Sequence, residues 1–210
     1  MTAADEKTAR VSRRQVDKFE ERRRELADAA LQTLSELGYA RTSLREIAQN
    51  SAFSHGVLHY YFRDKVDLIT YCVRQYKAEC VRRYDQIVTD SDTAEALSRG
   101  FGDGLSATMA EDGTMHRLWY DLRSQALFDE SFRADVLDID ATLERMIWRI
   151  VSRYAELSDA PVATSSAMTY AMFDGLFQQG LLHHLAGDES ARAQLDEAAR
   201  ELLTMVVKTA

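Results

Sequence analysis

Apolar residues recur three and four apart along nearly the whole chain, the spacing of a buried stripe on a helix. Leu26, Ala29, Ala30, Leu34 and Leu37 mark the first stripe, and Gly38 stands just beyond it as a terminator. Leu44, Ile47 and Ala48 mark a short second helix, preceded by Thr42-Ser43. Glu46 lies three residues after Ser43, a capping-box arrangement. Ser51-Ala52-Phe53 reads as a turn, and Ser54 caps a third short helix over 55–61. A long helix is predicted over 65–88, with Leu68, Ile69, Cys72, Val73, Tyr76, Cys80 and Ile87 as its apolar positions. Five more helical stretches follow, over 93–109, 114–128, 130–157, 162–185 and 190–208. Glu111-Asp112-Gly113, Phe128-Asp129-Glu130, Ser158-Asp159-Ala160-Pro161 and Gly187-Asp188 divide them. The pattern predicts an all-α fold of about nine helices, with no strand and no internal repeat. Residues 1–20 carry no such stripe and read as a flexible polar arm.

Composition narrows the reading. One proline and nine glycines in 210 residues leave too few turn signals for a many-stranded β architecture. A hydrophobic fraction of 46% with 29% charged residues excludes disorder over the whole length. No apolar run reaches the roughly 18–20 residues that span a bilayer, and the N-terminus lacks the apolar core of a signal peptide. Cys72 and Cys80 are separated by about 12 Å of helix rise, beyond disulfide reach. A cytoplasmic protein with reduced thiols is expected.

Enzyme chemistry finds little support. The sequence has no HExxH, Cys-x-x-Cys or GxSxG, and no Glu stands three residues before a His. His183 and His184 are adjacent and project to different helix faces, a poor arrangement for one metal ion. No metal or cofactor is therefore expected. Gly100, Gly102 and Gly104 suggest a phosphate loop, but no strand precedes them and no Lys-Ser/Thr follows. A loosened helix beside a cavity is the alternative reading.

Charge is unevenly spread. The net charge is −8. Residues 1–66 hold 12 Lys+Arg and 10 Asp+Glu, whereas residues 67–210 hold 14 and 24. Residues 7–24 alone contain eight basic and three acidic side chains. The split describes a basic interaction surface on an acidic body, or a solvated tail.

The most informative stretch is 42–68. Two short helices joined by a tight turn form a helix-turn-helix unit, whose second helix fits the DNA major groove. The backbone N–H groups after Ser43 and Ser54 suit phosphates. Arg45, His55 and His59 supply donors for phosphates or base edges, Tyr60 and Tyr61 supply hydroxyls, and Lys65 supplies a phosphate clamp. Leu44, Ile47, Leu58 and Phe62 are expected in the core.

Residues 22–69 resemble the N-terminal DNA-binding domain of the TetR family of bacterial transcriptional repressors. The resemblance rests on Ala29-Ala30, Gly38-Tyr39, Thr42-Ser43, Ile47-Ala48, Ser54, Gly56, Leu58, Tyr60-Tyr61-Phe62, Lys65 and Leu68. It implies contacts to double-stranded operator DNA from Thr42, Ser43, Arg45, Ser54, His55, Gly56, His59, Tyr60, Tyr61 and Lys65. Two positions depart from the family pattern. Ala52 replaces the usual turn glycine, where a left-handed backbone would cost about 1 kcal/mol. His59 stands where the family often has Tyr.

The resemblance further implies three segments: the arm over 1–20, a DNA-binding domain over 21–66, and a regulatory domain over 67–210 that binds a small-molecule effector and forms a homodimer. Candidate pocket residues are Tyr76, Phe101, Leu105, Trp119, Tyr120, Arg123, Trp148, Met172, Phe173 and Phe177. Arg123 would meet an anionic ligand or a carboxylate such as Asp121 or Asp174. The last two helices suggest a four-helix dimer interface through Met168, Gly175, Gln179, Leu182, Leu195, Ala199, Leu202 and Val206, or else an intramolecular hairpin. Two rivals stay open: a helix-turn-helix protein with no effector pocket, and a helical small-molecule-binding enzyme or carrier.

Overall fold

A computed structural model describes residues 3–37 and 42–207, with side chains from residue 16 onward except 32 and 35–37. Among the described residues the fold is all-α, with nine helices. They are α1 (Ala3–Leu37), α2 (Leu44–Gln49), α3 (His55–Tyr61), α4 (Lys65–Asp90), α5 (Ala94–Glu111), α6 (Gly113–Gln125), α7 (Arg133–Leu157), α8 (Ser166–Leu185) and α9 (Ala191–Val206). The expected stop at Gly38 and the connector Tyr39-Ala40-Arg41 lie outside the described residues. So does Lys208, the expected end of the last helix.

The first helix is longer than its apolar stripe. Residues 3–20, expected as a non-helical arm, form the first turns of α1. The segment contains no Gly or Pro and is rich in Ala, Arg, Glu, Lys and Gln, so propensity favours helix even without an apolar stripe in the sequence.

The chain divides into two compact units at Val73/Arg74. In the first, Leu26, Ala27, Ala30 and Leu34 of α1 are buried, as are Leu44, Ile47, Leu58 and Phe62. The first turns of α4 belong to the same core, through Leu68, Ile69, Cys72 and Val73. The division therefore falls later than the expected 66/67. Ser43 caps α2 as the sequence predicts: Glu46 N–H donates to Ser43 Oγ (3.2 Å), and Ser43 N–H donates to Glu46 Oε2 (2.7 Å). Ser54 caps α3 by accepting from Val57 N–H (3.3 Å). The turn between them requires no left-handed residue. Asp159 is the one non-glycine with positive φ among the described residues, so the expected cost at Ala52 does not arise.

The second unit is built around α5, which packs on α6, α7, α8 and α9. Its glycines do not loosen it, contrary to the sequence reading. The helix is continuous from Ala94 to Glu111, and the glycines mark close approaches by neighbouring helices. A Cβ on Gly102 would lie 3.0 Å from the carbonyl oxygen of Asp196 on α9. Helix α8 begins at Ser166, later than residue 162. Val162 instead forms an antiparallel bridge with Val207, and Ala163 N–H donates to Val206 O (2.7 Å).

This close packing overturns part of the expected dimer face. Leu195, Ala199 and Val206 are buried within their own chain, on the α9 stripe Ala191, Leu195, Ala199, Leu203, Val206. They cannot meet a second copy without unpacking α9.

Candidate nucleic-acid interface and ligand cavity

Helix α3 has one buried and one exposed face. Leu58 is fully buried, while His55, Gly56, His59 and Tyr60 are exposed together at the i, i+1, i+4, i+5 positions of one helix face. His55 and His59 touch through their Nε2 atoms (3.1 Å). Tyr60 is 73% exposed, too open for a core role. Ser43, Arg45 and Ser54 are exposed on α2 and the turn, as are Gln49, Asn50 and Arg63, which the sequence reading did not single out. Those three carried no motif signal.

Other sequence candidates are differently placed. Thr42 is buried, at 3% exposure, because it sits behind the N-cap of α2; it is not a surface contact. Tyr61 is half-buried against Phe19, with ring centroids 4.8 Å apart. Lys65 is half-buried at the start of α4.

Part of the basic segment is occupied inside the unit. Arg22 stacks over Phe53 (4.8 Å), and Arg23 lies over both Phe62 (4.8 Å) and Tyr71 (4.4 Å). Arg23 also pairs with Asp67 at 3.5 Å. These contacts fasten α1 to the helix-turn-helix and remove two cations from the expected basic arm.

The second unit contains a small cavity, about 60 Å³ and open to solvent, between α4, α5, α6, α7 and α8. Of the sequence candidates, Leu105, Trp119, Tyr120, Phe173 and Phe177 line it. Phe101 does not: it is fully buried between Tyr84 and Phe173. Trp148 and Met172 are also absent from the lining. On α7 the inward positions are Leu143, Met146 and Ile147, and on α8 they are Tyr170, Phe173, Asp174 and Phe177; Trp148 and Met172 fall outside both sets. Arg123 is committed to carboxylates, bonding Asp174 and lying 3.4 Å from Asp140. Tyr76 stands behind the lining, its hydroxyl 2.9 Å from both Asp112 Oδ2 and His116 Nε2.

The sequence reading missed the polar wall. Lys77, Cys80, Tyr84, Thr108, His116, Tyr170 and Asp174 all line the cavity. A signal was present: Lys77 falls on the stripe Ile69, Val73, Cys80, Tyr84, where a lysine is out of place unless it has work to do. Burial pushes Lys77 down to about 8. Its Nζ lies 3.1 Å from His116 Nδ1. Burial, then Lys77 and Arg83, hold His116 well below the usual histidine range, so it is neutral. Hydrogen bonding then fixes its tautomer. Lys77 donates to Nδ1, Nε2–H donates to the Tyr76 oxygen, and Tyr76 donates to Asp112. A chain of bonds therefore runs from Asp112 to Lys77. Burial, followed by Asp174, raises Tyr120, which donates to Asp174 Oδ1 at 3.1 Å.

On α8 and α9 an apolar surface is left uncovered. Met168, Leu182, Leu185 and Met205 are exposed, with Gly175 and Gln179 between them. A Cβ on Gly175 would meet no atom within 4 Å. Leu202 is half-buried. Among the described residues no helix is long and apolar enough to cross a membrane, and no group of three or more His, Cys, Asp or Glu is placed to hold a metal ion.

Comparison with known proteins connects these features. Residues 26–72 match the model of bacterial regulatory proteins of the tetR family, and residues 93–204 match that of the BetI-type transcriptional repressor C-terminal region. The HTH-type transcriptional regulator BetI of Stenotrophomonas maltophilia is 28% identical over 165 residues, covering 77% of this chain and 82% of its own. BetI of Escherichia coli O139:H28 is 34% identical over 58 residues, 28% of this chain and 30% of its own. Among solved structures, a TetR transcription regulator from Haloarcula marismortui superposes with a TM-score of 0.73 at 17% identity, over 90% of this chain and all (100%) of that one. FadR from Bacillus subtilis, in complex with stearoyl-CoA, gives 0.69 at 17% identity, over 87% and 98%. The two structures share the fold. With the C-terminal model spanning more than half of the sequence, the chain belongs to the TetR family of bacterial regulatory proteins and is a helix-turn-helix transcriptional regulator.

Proposed function

We propose that the protein is a homodimeric, ligand-responsive repressor that binds a pseudopalindromic operator and is released by a small-molecule effector. The carrying observation is the exposed face of α3, where His55, Gly56, His59 and Tyr60 have no core role. Residues 21–66 act as the reading head. Arg45, Ser43 and Ser54 anchor phosphates on either side of α3, with Lys65 as a further clamp and Tyr61 at the rim. Residues 67–210 act as the regulatory part. The uncovered face of Met168, Gly175, Gln179 and Leu182 suits a second copy, since two half-sites need two reading heads. The solved FadR structure carries stearoyl-CoA, which supports an effector role for the cavity in this chain.

Helix α4 starts at Lys65 and carries Lys77, Cys80 and Tyr84 of the cavity. An effector that prefers one tilt of α4 changes the spacing of the two α3 helices. It acts only through its differential affinity for the two arrangements. The test uses operator DNA selected from a random pool. Arg45→Ala with Lys65→Ala should weaken binding about tenfold or more, since each phosphate or base contact contributes roughly 1 kcal/mol or more. The oligomeric state should not change. Unaltered operator affinity in the double variant refutes the assignment.

A further inference from the structure

Two residues that line the cavity carry buried donors, one with a single neutral acceptor and one with none. Lys77 is buried, and its Nζ contacts one acceptor, His116 Nδ1, together with the ring faces of Tyr76 and Trp119, each centroid 5.7 Å away. The carboxylates around it are taken. Asp112 receives Tyr76 and lies 3.6 Å from Arg83; Asp174 and Asp140 are held by Arg123. Among the described residues no carboxylate forms an ion pair with Lys77. The second donor is Trp119 Nε1–H, which is fully buried and has no hydrogen-bond partner. A buried N–H left without an acceptor is costly, and a buried ammonium without a counter-charge costs more. The wall also has an apolar part, with Leu105, Leu143, Met146, Ile147 and Phe177, and its one carboxylate, Asp174, is neutralised by Arg123.

We infer that the effector is a small organic anion, a carboxylate with an apolar body, whose carboxylate accepts from both Lys77 Nζ and Trp119 Nε1. Charge-assisted contacts of about 2.8 Å to each donor let one carboxylate bridge them. The chain of bonds from Asp112 through Tyr76 and His116 holds the Lys77 ammonium in place for that contact. The same ammonium rejects a cationic ligand of equal size. The inference rests on the proposal that the cavity is the effector site.

The probes are phenylacetate and hexanoate, with phenylacetamide and hexanamide as neutral isosteres and phenyltrimethylammonium as a cation. Binding to the full chain is followed by tryptophan fluorescence and calorimetry. The acids should bind at least about tenfold tighter than their amides, and the cation should not compete. Lys77→Met should abolish that preference. Trp119→Phe should weaken the acids about tenfold while sparing the amides, in line with the loss of one hydrogen bond to a charged group. If neither acid exceeds its amide in the unaltered protein, the inference is overturned, whatever the variants do. Release of selected operator DNA is measured in parallel. Acid-selective binding that leaves the DNA complex intact keeps the anion site and refutes the effector role; DNA release without acid selectivity does the reverse.

Discussion

Gly102→Ala tests how tightly α5 and α9 are pressed together. A Cβ at this position would lie 2.1 Å from Asp196 Oδ1 and 3.0 Å from both Arg200 Nε and the Asp196 carbonyl oxygen. The carboxylate can turn away only by giving up its bonds to Arg200, both 2.8 Å. The carbonyl cannot turn at all, because it belongs to the helix, so α9 must move as a body. Leu195, Ala199 and Leu203 move with it, and all three are buried. Overpacking of this kind costs about 1–3 kcal/mol, and the rigid neighbour places this site at the upper end. The gain from replacing glycine by alanine within a helix is about 0.8–1 kcal/mol. The net loss is then about 2 kcal/mol, or a fall in melting temperature of about 4–8 °C for a chain of this size. Thermal and urea unfolding at matched protein concentration measure it, since the proposed dimerisation would make stability concentration-dependent. A melting temperature equal to or above that of the unaltered protein would falsify the packing argument, because propensity alone predicts a rise.

Two further outcomes follow from other parts of the second unit. Lys77 is held near 8 by burial, against an ordinary 10.5. Below pH 8 it is charged in both the folded and unfolded states, and the cost of burying the charge is fully present. Between about 8 and 10.5 the unfolded chain holds a proton that the folded chain has lost, so this residue's contribution to stability rises with pH, by on the order of 3 kcal/mol in all. Cys80 is shifted upward by burial and pulls the opposite way. The relevant quantity is therefore the difference in urea midpoint between the unaltered protein and Lys77→Met from pH 7 to 10. A difference that does not change with pH contradicts the account. Leu182 is 69% exposed on α8, and Leu182→Glu should convert the proposed dimer to monomer in sedimentation at micromolar concentration, with helical content retained. An undisturbed dimer places the interface elsewhere.

The legible part of this protein was local. Helix positions followed from 3.6-residue periodicity, and the capping box at Ser43 and the cap at Ser54 followed from residues three apart, because these interactions close within one turn. The helix-turn-helix was readable for the same reason: its spacing is fixed by short-range geometry. The segment over 3–20 was misread because its sequence shows no apolar stripe, although its composition favoured helix.

Elsewhere the outcome depended on which helix met which. The stripe Leu195, Ala199, Val206 is equally suited to a partner chain or to its own, and the packing of α9 on α5 and α8 decided for its own. Phe101 and Leu105 lie on one α5 face, yet only Leu105 reaches the cavity, because Phe173 and Tyr84 close over Phe101. The largest difference concerns charge. By itself the sequence set the total of −8 and its division between the two parts of the chain. Only the tertiary structure joined Arg123 to Asp174 and Asp140, 17 or more positions away, and left Lys77 in no ion pair with a carboxylate among the described residues. Ion pairing is a contact of a few ångströms, and sequence distance carries no information about it.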